Sequence, residues 1–210
     1  MSTLEQLGTA IEQGDRAEAE QLTEQAIEAG TDPQQVLDAL VGAMDEVGRR
    51  FQENEIFVPE MLIASRAMKQ CLSRLEPLLV ERGITPAFTA IIGTVQGDLH
   101  DIGKNLVAMM WRGANFNVVD LGTNVAPDQF VSAAREHNAN VVGLSALLTT
   151  TMPAMKQTVE ALKADSNCNA CVVVGGAPVT EAFARDIGAD GFAPDAGAAV
   201  QLVRKLVEAA

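Results

Sequence analysis

The chemistry of this chain is concentrated in one segment, Gly93-Thr94-Val95-Gln96-Gly97-Asp98-Leu99-His100-Asp101-Ile102-Gly103-Lys104-Asn105. It sets an imidazole two residues after a carboxylate, with a glycine three residues further on. A carboxylate so placed can hold one ring nitrogen of His100 while the other faces a ligand or a metal. That contact fixes the tautomer and raises the basicity of the free nitrogen. Taken alone, a histidine beside an aspartate near a helix start is more often a capping or surface residue. Two common glycine loops do not fit. A P-loop needs Gly103-Lys104 one residue nearer to Gly97 and a hydroxyl where Asn105 stands. The intervals between Gly93, Gly97 and Gly103 do not make a dinucleotide fingerprint. Two later stretches carry hydroxyls and bare backbone: Ser145-Ala146-Leu147 running into Thr149-Thr150-Thr151, and Gly175-Gly176. Read separately, the hydroxyls cap a following helix and the glycines make a turn.

From Leu4 to about Arg82, apolar residues recur at intervals of three and four, as in Val36, Leu37, Leu40, Val41, Met44 and Val47, the stripe of packed helices,. Asp15 and Asp32 stand as N-caps, Pro33 at a first helical position, and Pro59 at the opening of another helix. Helices over residues 3–13, 15–29, 33–52 and 59–82 follow, and brief connections make them a four-helix bundle. The pattern changes at Gly83-Ile84-Thr85-Pro86. Beyond it, short apolar runs (FTAIIGTV, FNVVDLG, NVVGLSAL, CVVVGG and DGFA) alternate with helical stretches. This predicts an α/β fold: a flavodoxin-like (Rossmann-like), doubly wound, five-stranded parallel sheet. The division is residues 1–84 and 85–210. Ligands on such sheets bind beyond the carboxyl ends of the strands, near the point where strand order reverses. All three chemistry-bearing stretches fall at such ends.

Composition narrows the function. A formal charge of −13 repels nucleic-acid backbones and anionic lipid,. No run of about 18 apolar residues occurs, and no basic and apolar leader follows Met1, so a soluble, cytoplasmic protein is expected. Three cysteines, an odd number, fit a reducing compartment,. Cys168-x-x-Cys171 lacks the partners of a zinc set, and Cys171 opens a strand rather than a helix, so the pair reads as ordinary thiols.

In order, Asp98-x-His100-x-x-Gly103, Ser145-x-Leu147 and Gly175-Gly176 resemble the signature of the cobalamin-binding domain shared by methionine synthase, corrinoid mutases and methyltransferase corrinoid proteins. The amino-terminal half, Val47 to Phe51 and Ile56 to Met61, is similar to the helical cap of methionine synthase and of small methylotrophic corrinoid proteins. The resemblance implies a base-off, His-on corrinoid, with His100 replacing the cofactor's own base on cobalt and Asp98 orienting His100. It implies a third relay member at Thr151, where methionine synthase has serine; Thr149 or Thr150 could substitute. Gly103, Ser145, Gly175 and Gly176 would line the groove for the displaced nucleotide tail, with Leu147 packed in the core beside it. Thr149 would lie against the cofactor, and Phe51 and Val58 would shield its upper face.

Neither a mutase barrel nor folate and homocysteine modules stand in this sequence, so the resemblance points to a methyltransferase corrinoid protein. Such a protein carries a methyl group on cobalt from a substrate:corrinoid methyltransferase to a second methyltransferase, which passes it to a thiol such as coenzyme M or to tetrahydrofolate. A reductive activase is a further implied partner. A cobalamin-dependent sensor is the alternative, and a cofactor-free interaction module a third reading. Trp111 is expected in helix packing and His137 at a solvated helix end. Lys104 and Asn105 are candidates for the polar edge of the corrin.

Overall fold

The computed structural model describes residues 1–86 and 88–208. Contacts divide the chain into two compact units, Met1–Pro86 with Gly113–Asn115, and Ala87–Arg112 with Phe116–Ala210.

The helical unit begins with α1 (Thr3–Gln13), opened by a capping box. Ser2 Oγ accepts from the Glu5 N–H at 3.3 Å, and Glu5 Oε2 accepts from the Ser2 N–H at 2.7 Å,. Asp15 and Asp32 cap α2 (Arg16–Glu28) and α3 (Pro33–Gln52), accepting from the Glu18 and Gln34 amides at 3.0 and 2.9 Å. Each such cap contributes about 1 kcal/mol. α4 (Val58–Glu81) carries Pro59 in its first turn, and Glu60 Oε2 reaches back to the Phe57 N–H at 3.1 Å. α1 packs on α2 and α3, and α4 packs on the same two helices. The stripe expected on α3 is buried, from Val36 and Leu37 through Leu40 and Met44 to Val47, together with Leu7, Ile11, Met61, Met68 and Leu75. This is the four-helix bundle the spacing predicts.

The α/β unit contains β1 (Phe88–Thr94), α5 (Ile102–Gly113), β2 (Phe116–Asp120), α6 (Pro127–Glu136) and β3 (Val141–Ser145). A 3-10 turn (Thr149–Thr151) then leads into α7 (Met152–Ala164), β4 (Cys171–Gly175), α8 (Glu181–Asp186), β5 (Gly191–Phe192) and α9 (Ala196–Glu208). All strand pairs are parallel, and the order is β2-β1-β3-β4-β5. That is the flavodoxin-like winding, with its switch between β1 and β3. β1, β3 and β4 are central and nearly continuous in buried residues, whereas β2 and the two-residue β5 are edges,. Ile91, Val142, Leu144, Val172 and Val174 of the sheet pack with Phe130, Met155, Val159 and Leu162 of the helices. Trp111 is buried on α5, and a Cβ at Gly143 would lie 2.6 Å from its ring, so β3 accepts the indole only because residue 143 has no side chain.

Several strands are shorter than their apolar runs, and local contacts set some of the boundaries. The Thr180 hydroxyl accepts from the Phe183 N–H at 3.2 Å and so caps α8, leaving Val179 outside it. Val95 leaves β1 to make an isolated bridge with Val125.

Candidate functional site

β1 and β3 run side by side to the switch point, with Thr94 in register with Ser145, and Ser145 in turn with Gly175 of β4. The sheet therefore delivers the Asp98–Gly103 loop, the Ser145–Thr151 stretch and Gly175-Gly176 to adjacent strand ends.

Asp98 ties the first two together. Its side chain is fully buried. Oδ1 accepts from the His100 amide at 3.0 Å and meets His100 Nδ1 at 2.8 Å. Oδ2 accepts from the Leu147 amide at 2.8 Å, the Leu148 amide at 3.3 Å and the Thr151 hydroxyl at 2.8 Å. Burial alone would raise this carboxyl. The Leu147 and His100 amides, the His100 ring and the Thr151 hydroxyl outweigh it and hold the group well below the usual carboxylate range,. An ionised carboxylate only accepts, so Nδ1 is the donor in this contact, and in the neutral ring the lone pair lies on Nε2,.

The Thr151 hydroxyl also lies 2.8 Å from the Leu148 carbonyl. It has one proton, and the neighbouring anion directs that proton to Asp98. Among the three threonines, Thr151 is buried and meets Asp98, whereas Thr149 and Thr150 are exposed on the 3-10 turn.

The His100 side chain is 51% exposed. Around it in sequence stand Leu99 (72% exposed) and Ile102 (75%), and across the Asp98 bridge stand Leu147 (43%) and Leu148 (41%). Leu147 thus corrects the expectation of a core residue: its side chain faces outward and its amide serves Asp98. Four large apolar side chains left exposed, three on the two loops and Ile102 at the start of α5, mark a surface made to be covered,. Leu99, Ile102 and Leu148 escaped notice in the sequence, although apolar residues inside a polar loop were the available signal.

The glycines differ among themselves. A Cβ at Gly103, in the first turn of α5, would meet nothing within 4 Å, so residue 103 borders open space. At Gly176, φ is +127° and a Cβ would lie 1.9 Å from the Ala146 carbonyl oxygen,. Glycine there is required by the approach of β3 and β4, independently of any groove. A Cβ at Gly175 would lie 3.0 Å from the Ala193 carbonyl oxygen, and Ser145 is half-buried beside it.

Lys104 is turned inward to an ion pair. It is 3% exposed, and its Nζ donates to both oxygens of Asp120, at 2.7 and 2.6 Å, and to Asn105 Oδ1 at 2.6 Å. His137 is an exposed C-cap residue of α6, as expected. In the helical unit, Phe51 lies in the last turn of α3 and Val58 opens α4, both half-buried, with Phe57 between them exposed.

Among the described residues, no group of three or more His, Cys, Asp or Glu side chains stands where it could share a metal ion. His100 offers one ligand bond, which suits a metal that brings its other ligands in a macrocycle. The apolar rim suits the flat face of such a ring, and the open space at Gly103 suits an appendage. The residues present therefore fit a corrinoid.

Fold and site together define a flavodoxin-like module that presents a half-exposed histidine, held by a buried carboxylate, at its switch point. Residues 88–203 match a B12 binding domain family, and residues 3–76 match a second family of that description. A corrinoid protein of Desulfitobacterium hafniense (strain Y51) is 38% identical over 212 residues, 99% of this chain and 98% of its own. Dimethylamine corrinoid protein 1 of Methanosarcina acetivorans is 40% identical over 179 residues, 84% of each. The methanol:cobalamin methyltransferase complex of Methanosarcina barkeri contains a chain that superposes with a TM-score of 0.85 at 28% identity, over 99% of this chain and 80% of that one. The chain belongs to the B12-binding corrinoid proteins of methyltransferase systems. No helix among the described residues is long and apolar enough to cross a membrane.

Proposed function

We propose that this chain carries a methyl group between two methyltransferases on a base-off, His-on corrinoid, with His100 as the lower ligand of the metal. The observation that carries this reading is the double use of Asp98, one oxygen on His100 Nδ1 and the other on the loop after β3. When bound, the corrinoid supplies a cobalt centre that accepts and releases a methyl group.

The chain's residues do the remaining work. His100 offers Nε2 to the metal, and Asp98 fixes the ring so that Nε2 carries the lone pair. The Asp98 anion on Nδ1 would keep the ring oriented whether or not Nε2 is engaged,. Thr151 and the Leu147 and Leu148 amides keep Asp98 ionised and in place. The apolar side chains of Leu99, Ile102, Leu147 and Leu148 would exclude water from around His100 once the cofactor covers them. The open space at Gly103, with Ser145, Gly175 and Gly176 at the neighbouring strand ends, would receive the nucleotide tail, and Thr149 would lie against the cofactor.

Residues 1–84 would serve as a cap, with Phe51 and Val58 as its apolar shield for the methyl group, and residues 85–210 as the binding domain. A cap that covers the methyl group must move aside to admit a partner's active site. The partners are a substrate:corrinoid methyltransferase, a methylcorrinoid:acceptor methyltransferase and a reductive activase. The relative in the methanol:cobalamin methyltransferase complex supports the first of these. The free thiols of Cys71, Cys168 and Cys171 suit a reducing cytoplasm,.

The test is to reconstitute the protein with a corrinoid, reduce it, and offer methylamines, methanol, methyl thiols and aryl methyl ethers with their matching methyltransferases. Appearance of the methylated spectrum with one donor, and its loss on adding an acceptor enzyme, is expected. A reconstituted protein that no donor methylates overturns the proposal.

A further inference from the structure

The loop between β2 and α6 grips the His100 loop from the side opposite β3. The Asn124 amide donates to the Asp98 carbonyl at 2.9 Å, and Asn124 Oδ1 accepts from the Gly97 amide at 2.8 Å. Beside them, the Gly122 carbonyl accepts from the Thr94 amide at 2.9 Å, and the Val125 amide donates to the Thr94 carbonyl at 3.0 Å. Buried Thr94 returns the contact, its hydroxyl donating to the His100 carbonyl at 2.9 Å.

Asn124 adopts φ +55°, in the left-handed region. Asparagine tolerates this region better than other residues with side chains, and its short amide reaches nearby backbone. One residue thus holds two consecutive residues of the site, Gly97 by its side chain and Asp98 by its main chain. The carboxylate must then meet two fixed targets, His100 Nδ1 and the Leu147 amide, each at 2.8 Å. Such bonds weaken steeply with misalignment, so the position of the Asp98 backbone decides whether both can form.

We propose that Asn124 is a positioning residue for the Asp98–His100 pair, acting through Gly97 and the Asp98 carbonyl. The positional claim stands on the chain's own hydrogen bonds, and its bearing on metal ligation rests on the role proposed for His100. Because the Gly97 amide lies at the surface, water can replace Asn124 Oδ1 as its acceptor. Loss of the side chain therefore changes the geometry of the site more than the stability of the fold.

The test uses the cofactor-free full chain with isotopically labelled histidine, at a pH where the ring is neutral. Asn124→Gly keeps the left-handed backbone and removes the acceptor, whereas Asn124→Asp keeps an acceptor. In Asn124→Gly, amide exchange at Gly97 is expected to quicken about fivefold, the loss of one hydrogen bond of ordinary net strength. The His100 nitrogen shifts move from the Nδ1–H tautomer toward a mixture, and Asn124→Asp restores both. An unchanged tautomer in Asn124→Gly, or a change that Asn124→Asp does not reverse, overturns the proposal. His100→Ala, loaded with a corrinoid, separates the two claims: an unaltered spectrum there removes the metal-ligand role and leaves the tautomer result to decide on Asn124.

Discussion

The Leu147 amide donates to Asp98 Oδ2 at 2.8 Å, joining the ends of two strands through one carboxylate whose other oxygen holds His100. The contact makes the orientation of the ring depend on the loop after β3 as well as on its own. It also accounts for the burial of a charged side chain in a loop, since every face of the carboxylate meets a donor.

Asp98→Asn tests that dependence. The amide cannot accept at every position now filled by donors, so a destabilisation of about 1–3 kcal/mol is expected in urea unfolding. The pH profile gives the sign. The folded-state pKa lies below that of the unfolded chain, so the stabilisation is fully present above about pH 4 and lost as pH falls through the folded-state value,. In acid, the wild-type protein loses stability more steeply than Asp98→Asn.

Thr151→Val removes a donor from the same oxygen and should cost about 1–2 kcal/mol, whereas Thr151→Ser retains the bond and stays near wild type,. Thr149→Val, on the exposed turn, leaves the unfolding midpoint unchanged.

The two glycine types separate fold from site. Gly176→Ala meets the Ala146 carbonyl and is expected to cost about 3 kcal/mol or more,. Gly103→Ala meets nothing and gains up to about 1 kcal/mol in helix propensity,. Its corrinoid affinity falls about tenfold or more, measured by titration.

Lys104→Met breaks an ion pair whose ammonium is buried and whose carboxylate is partly solvated, and about 2 kcal/mol of stability is lost,. Its corrinoid spectrum remains that of the wild type, which a cofactor contact at Lys104 would not allow.

Much of this was legible in the residues. Asp15, Asp32 and Pro33 mark helix starts by local chemistry, and the strands of the sheet's centre are apolar runs with no alternation. Asp98 and His100 stand two apart, so their contact needs no knowledge of the fold. The parts that were not legible act through backbone or across distance. Leu147 works through its amide, which any residue but proline has, so its side chain gave a misleading core assignment. Asn124 lies far along the chain from Gly97, and only the parallel register brings them together. Lys104 looked available because its burial depends on Asp120, at the end of another strand.

The central claim is tested most directly by electron paramagnetic resonance of the paramagnetic form of the bound corrinoid, prepared with ordinary histidine and with histidine enriched in the heavier stable nitrogen isotope. Ligation by His100 predicts that the axial superhyperfine triplet becomes a doublet on labelling and disappears in His100→Ala. A triplet that survives both changes would place the cofactor's own base on the metal and contradict the account.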